Sequence, residues 1–250
     1  MLGVAMLITV TVVGIAGAAG GEGPATVRVG EETGLTPAVG FSPKELSKQS
    51  FTPIRAFISQ ELPTFPHPLA ERELLIELDR NLMIQTRGLP ACHPGVQDGL
   101  TIEESCMGTS VGSGEETVQI ALPESPPIDV SARLKVLNGG EHDGAITMWL
   151  YGFFGEPLKG SLVTKVVFTR HHHGRFGWLA DVTLPQIAGG AGSVIQLNLQ
   201  IGRQYADKGS GASVLSARCT DGELRTHLQT RFEDGSSAEA EVARACTPKV

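Results

Sequence analysis

The 250-residue sequence predicts an all-β fold, a disulfide-stapled β-sandwich that is immunoglobulin-like in general architecture. The first observation is a strict alternation over residues 193–201, with Ile or Leu on one face and Gln or Asn on the other. This period of two is typical of a strand with one buried and one wet face. The second observation is a series of Asn-Gly, Asp-Gly and Gly-rich turns between segments of about 8–12 residues, a spacing that indicates a sandwich or barrel.

Turn residues and alternation predict strands along the rest of the chain. Their predicted bounds are 53–61, 73–79, 82–87, 116–122, 128–137, 145–151, 161–170, 175–184, 193–203, 212–219, 224–232 and 237–246. One short helix is predicted near 97–107, because acidic residues follow Thr101 and Gly108 can end the helix. The Gly-rich segment 189–193 opens a strand and lacks a Lys, so we interpret it as a sharp corner rather than a phosphate-binding loop.

The N-terminus predicts a secretory signal peptide over residues 1–20. Residues 1–21 carry no charge, and the apolar run Leu2 to Ile15 ends in the small residues of a cleavage region. The alternative is an uncleaved membrane anchor, because the apolar span approaches the ~20 residues that a bilayer requires. The positive n-region of a signal peptide is missing, which leaves the true start codon open.

The remaining chain is predicted to form one folded unit. Residues 21–50 are rich in Gly, Pro, Glu and Ser and are predicted to be a linker. Residues 51–250 are predicted to be a single β-sandwich domain, with a division into two subdomains near 88–115 as the alternative.

Four cysteines form an even set, as expected of an exported protein in an oxidising compartment. Three pairings are open, of which we favour Cys92 with Cys106 and Cys219 with Cys246. Cys219 and Cys246 fall on the apolar parity of their strands, as a buried bridge requires. The sequence has no C-x-x-C pair, which weakens both zinc-site and redox interpretations.

Charge narrows the classes of partner. The net charge is −7 and the chain has no basic tract, so nucleic acid is not an expected partner. A membrane is expected to be contacted only through the N-terminal segment, if that segment is uncleaved.

Neighbouring carboxylates such as Glu115 and Glu116 are predicted to lie on an ordinary, solvent-exposed strand face.

Three sequence patterns are candidates for function. Trp149, Tyr151 and Phe153 share one parity, so they form either an exposed aromatic stripe that binds a partner or glycan, or part of the core. Ser110 lies in a G-x-S-x-G pattern without the strand-before, helix-after context of a hydrolase nucleophile. The run of histidines at 171–173 predicts a hairpin tip rather than a metal site, because consecutive strand residues point to alternating sides.

Several motifs resemble a family of uncharacterised secreted, β-rich proteins of high-GC Gram-positive-type bacteria. The matching stretches are 41–46, 86–92, 185–193, 201–203 and 215–219, which include the motifs GLPAC, PQIAGGAGS, IGR and LSARC. The resemblance runs from about residue 41 to the end. It implies export and a β-rich body, and it brings neither an activity nor catalytic residues.

The sequence therefore predicts a non-enzymatic binding or structural protein, secreted or extracytoplasmic at the cell envelope. Its expected partner is an envelope component, a glycan or a protein, and neither a cofactor nor a metal ion is expected. One alternative is a secreted serine hydrolase that uses Ser110 with a distant histidine such as His227. The other is a metal-binding protein that uses His171, His172 and His173.

Overall fold

A computed structural model describes residues 26–29, 36–64, 67–93, 102, 106–155 and 159–249, with the backbone alone described at 26–29 and 36. The strands are β1 Thr26–Val29, β2 Thr36–Ser42, β3 Glu45–Ser47, β4 Thr52–Pro53, β5 Arg55–Glu61, β6 Glu71–Asp79, β7 Leu82–Ile84, β8 Ser110–Ile120, β9 Ile128–His142, β10 Ala145–Phe154, β11 Gly160–His173, β12 Phe176–Thr183, β13 Gly192–Ile201, β14 Gln204–Asp207, β15 Ser210–Ser213, β16 Leu215–Ala217, β17 Glu223–Phe232, β18 Ser237–Ala245 and β19 Thr247–Lys249. A short 3₁₀ turn covers Ala188–Gly190.

Twelve of these strands form one antiparallel sheet that nearly closes on itself. Its order is β1-β18-β17-β6-β12-β11-β10-β9-β8-β13-β5-β2. The two ends of the sheet come together where the Arg244 guanidinium on β18 donates a hydrogen bond to the Val39 carbonyl on β2. The sheet therefore has an inner face and an outer face.

The all-β prediction is confirmed. The two layers expected of a sandwich are, however, parts of one curved sheet, since hydrogen bonds connect the twelve strands in an unbroken series. Alternation along a strand requires one buried face, but it does not say whether the facing layer belongs to a separate sheet or to the same one.

The inner face carries the main apolar core. Val136, Met148, Val166 and Val182 belong to it, together with Trp178, whose indole N–H donates to the Leu82 carbonyl at 3.2 Å. The register of β13 shifts between Val194 and Gln196, so Val194 lines the interior with Leu197, Leu199 and Ile201. The perfect alternation predicted from residue 193 is thus interrupted by a bulge near its start.

One end of the sheet is covered by a three-stranded sheet of order β4-β16-β7. A cluster there joins the Cys219–Cys246 bridge to Leu46, Ile54 and Leu224. At the opposite end lie residues 62–64, which follow β5, and residues 67–70, which precede β6. Leu62 packs there against Phe232 and Ala238.

Both predicted disulfides are present, with Cα–Cα distances of 5.3 Å for Cys92–Cys106 and 6.0 Å for Cys219–Cys246.

The signal peptide predicted over 1–20 lies outside the described residues. Most of the helix predicted near 97–107 does too, although Cys106 N–H donates to the Ile102 carbonyl at 2.9 Å. Within the described ranges, no helix is long and apolar enough to span a bilayer.

The linker predicted over 21–50 is wrong, because this segment contains β1, β2 and β3. Its Gly and Pro residues obscured the alternation of Pro37, Val39 and Phe41, which line the interior. Strands from both sides of 88–115 also pair within the same sheet, with β5 and β8 flanking β13. The structure therefore gives no division at that segment.

Candidate functional site

The inner face encloses a cavity of about 190 Å³. This is larger than an engineered cavity of about 150 Å³ that binds benzene in another protein. Most of the side chains that line it are aliphatic and come from strands all around the sheet, among them Ile58, Leu74, Ile76, Leu78, Leu134, Val136, Met148, Leu150, Val166, Val182, Leu199 and Ile201. A cavity with such walls favours an apolar occupant.

Glu116 places a carboxyl group among these apolar walls. It lies on β8 opposite Ala132 of β9 and Leu197 of β13, and it is only 7% exposed. Its Oε1 atom is buried and has no hydrogen-bonding partner among the described residues. Burial raises the pKa of Glu116 to about 7, because an ionised carboxylate is poorly solvated there.

Gly152 of β10 provides the space for this carboxyl group. A Cβ atom at residue 152 would lie 2.7 Å from Glu116 Oε1 and 3.1 Å from Leu134 Cδ2. Any larger residue would therefore displace the Glu116 side chain or close part of the cavity.

Another carboxyl group, that of the half-buried Glu71, lies at the same end of the sheet, and both of its oxygens accept hydrogen bonds. It accepts hydrogen bonds from Gln60 Nε2 at 2.5 Å and from Thr230 Oγ1 at 2.9 Å. Burial raises the pKa of Glu71, and these two hydrogen bonds partly offset that rise. Glu116, in contrast, keeps a buried carboxyl oxygen that no described residue hydrogen-bonds, so this oxygen is available to a ligand.

Exposed apolar side chains surround the same end of the sheet. Leu122 is 51% exposed, Ile128 is 41% exposed and Phe153 is 38% exposed. They lie where β8 ends, β9 begins and β10 ends, close in sequence to Glu116 and Gly152. This end therefore combines an apolar rim with the polar groups of the interior.

The predicted aromatic stripe is divided by the fold. Tyr151 is buried beneath the Cys92–Cys106 bridge, and Trp149 packs against the same cluster on the outer face. Phe153 is the exposed member. The three rings therefore do not form one continuous exposed surface, because Tyr151 and Trp149 pack against the cluster that contains Cys92 and Cys106.

Ser110 and His227 are not brought together as a nucleophile and base. The Ser110 hydroxyl donates to the Gly112 carbonyl at 3.2 Å, at the start of β8. His227 on β17 is instead held between Glu77 and Glu239.

Two of the three consecutive histidines meet a carboxylate. His171 and His173 of β11 both approach Glu77 of β6 on the outer face, and these residues could hold a metal ion. Three consecutive strand residues cannot all converge on one ion, because they point to alternating sides. His171 and His173, however, share one side of β11, and together they meet Glu77 of another strand.

The Gly-rich corner has the structural role predicted for it. Gly189 and Gly190 adopt φ of 68° and 104°, which glycine tolerates at little cost, and the corner leads directly into β13.

Glu116 was missed by the sequence interpretation, which placed it with Glu115 on an exposed face. The alternation along the strand could have indicated its burial, since Glu116 shares its side of β8 with the apolar Val118 and Ile120.

Comparison of the chain with protein-family models, with curated proteins and with solved structures found no match.

Proposed function

We propose that this protein is an exported, non-enzymatic binding protein that holds an apolar molecule inside its near-closed sheet. The observation that carries the proposal is an apolar cavity containing one buried carboxyl oxygen without a partner. Such a site resembles ligand pockets in general, which combine apolar walls with a few placed polar groups.

Glu116 narrows the class of ligand. With a pKa raised to about 7 by burial, its carboxyl group is protonated in a substantial fraction of molecules near neutral pH. A protonated carboxyl group donates one hydrogen bond and accepts others, so it suits a hydroxyl or carbonyl group. We therefore propose a neutral amphiphile with an apolar chain and one such group.

The rim formed by Leu122, Ile128 and Phe153 supports entry at the Glu116 end. The opposite end is covered by β4, β16 and β7 and by the Cys219–Cys246 bridge. An apolar ligand would therefore meet the exposed apolar side chains first and then the interior polar groups.

Export is supported by the apolar N-terminal segment and by the two disulfides, which are typical of oxidising compartments. The cell envelope is the proposed location. Peptide mapping of protein from the native host tests export, because it shows whether the N-terminal segment is removed and whether the disulfides form.

Calorimetric titration of the disulfide-bonded protein with 1-hexanol tests the cavity. We expect binding to a single site, and we expect Glu116→Leu to weaken it about three- to tenfold through loss of one hydrogen bond. The matched control is Glu115→Gln on the exposed side of β8, which should leave the affinity unchanged.

A cavity-filling variant locates the ligand. Ala56 lines the interior on β5 and is only half-buried, so Ala56→Phe should abolish 1-hexanol binding while the protein still melts cooperatively. Undiminished binding by a folded Ala56→Phe variant, or equal effects of Glu115→Gln and Glu116→Leu, would overturn the proposal.

A further inference from the structure

A second constellation lies on the outer face, away from the cavity. Glu77 of β6, His171 of β11 and His173 of β11 each offer one ligand atom, and the three atoms lie within 4.8 Å of one another. His171 Nε2 is 3.0 Å from Glu77 Oε1, and His173 Nδ1 is 3.4 Å from the same oxygen. On β6, Ile76 and Leu78 face the cavity, so Glu77 between them faces outward.

The spacing of these atoms suits a metal ion. Two nitrogens or oxygens bound to Zn²⁺ at about 2.0–2.1 Å in tetrahedral geometry lie roughly 3.4 Å apart. The distances from Glu77 Oε1 to the two imidazoles are close to that value. The three side chains can therefore enclose an ion with small adjustments of the half-buried His171 ring and the exposed His173 ring.

The second carboxylate oxygen of Glu77 is already positioned by another histidine. His227 Nδ1 lies 2.8 Å from Glu77 Oε2, and His227 Nε2 lies 2.5 Å from Glu239 Oε1. Hydrogen bonds of this kind orient metal-binding carboxylates in known sites. The outer partners of a site are thus in place around Glu77.

We infer that Glu77, His171 and His173 form a binding site for a divalent transition metal ion of the Zn²⁺ class, with His227 as a positioning residue. Two imidazoles and one carboxylate are a donor set that Zn²⁺ accepts, and this leaves a fourth position for water or an exogenous ligand. The site is distinct from the interior cavity, because Glu77 lies on the opposite face of β6 from the cavity lining.

Calorimetric titration of the full disulfide-bonded chain with ZnCl₂ tests the site. We expect one Zn²⁺ per chain, with binding weakened at least about tenfold by His171→Ala, by His173→Ala and by Glu77→Gln. Co²⁺ should give the visible absorption of a tetrahedral ion, and Zn²⁺ should abolish that absorption. The matched control is His172→Ala, which removes a histidine of the same run that is outside the cluster.

Circular dichroism and melting curves establish that each variant is folded. If Glu77→Gln does not fold, the two histidine variants decide the question. The inference is overturned if Zn²⁺ does not bind stoichiometrically. It is also overturned if His172→Ala weakens binding as much as His171→Ala does, because the exposed run alone would then be the chelator.

Discussion

Glu115 and Glu116 are chemically identical neighbours with opposite environments. Glu115 is exposed on the outer face of β8, whereas Glu116 is buried against the apolar interior. Burial alone accounts for the raised pKa of Glu116, since no described group donates to its buried Oε1. A residue that reduces stability in this way is typical of a binding site rather than of a core.

The stability of the protein should depend on the protonation of Glu116. The ordinary pKa of 4.5 applies to the unfolded chain, and burial raises the pKa to about 7 in the folded chain. Between these values the folded chain keeps a proton that the unfolded chain has released, so the free energy of unfolding falls as the pH rises. We expect Glu116 to contribute a loss of roughly 2–3 kcal/mol between about pH 5 and about pH 8.

Urea denaturation of the wild type and of Glu116→Gln at both pH values measures this loss. The glutamine does not titrate, so the variant should lose less stability by that amount, whereas Glu115→Gln should follow the wild type. Parallel pH dependence of the wild type and Glu116→Gln would show that burial does not penalise the charge.

At the scale of the element, the pairing of β8 with β13 depends on glycine. A Cβ atom on Gly112 would lie 2.4 Å from the Gln200 carbonyl oxygen, and one on Gly114 would lie 2.0 Å from the Asn198 carbonyl oxygen. These contacts are with backbone atoms, which cannot move without breaking the hydrogen bonds of the sheet. The glycines of β8 therefore allow the close approach that brings Glu116 inside.

Gly114→Ala should destabilise the protein by about 2 kcal/mol or more, because the added methyl group overlaps the backbone of β13. The control is Gly160→Ala in β11, where an added Cβ atom has no neighbour within 4 Å among the described residues. Thermal melts of the two variants compare the same chemical change in crowded and open surroundings. Equal melting temperatures would contradict the close approach of β8 and β13.

At the scale of the whole molecule, closure of the sheet places the apolar cavity and the candidate metal site on opposite faces. The inside holds the cavity and Glu116, and the outside holds the cluster of Glu77 with His171 and His173. The Cys219–Cys246 bridge ties the start of β17 to the end of β18, near one covered end of the sheet. The Cys92–Cys106 bridge packs against Tyr151 on the outer face.

Non-reducing peptide mapping and intact mass of protein from the native host should show both bridges and the loss of about 20 N-terminal residues. The physical reason is that disulfides persist in oxidising compartments, which an exported chain reaches after cleavage. Recovery of the uncleaved chain with four reduced cysteines would contradict export.

The strands from residue 53 onward were largely predictable, because alternation and turn residues are local properties of the sequence. Glu71 to Asp79 and Glu223 to Phe232 show this, since their observed bounds are close to those predicted. Local patterns fail at residues 37–41. Proline and glycine interrupt the alternation of apolar side chains there, and this strand is recognised by its pairing with β5.

The all-β class, the positions of most strands and the apolar parity of Cys219 and Cys246 could be predicted from the amino-acid sequence alone. This was possible because each depends on side chains a few residues apart. Three features became visible in the folded chain alone: the strands form one near-closed sheet, Glu116 faces its cavity, and Glu77 meets His171 and His173. These features depend on which distant strands pair, and His171 lies 94 positions after Glu77 in the chain. Pairing across such distances is set by the packing of the whole sheet rather than by any local pattern.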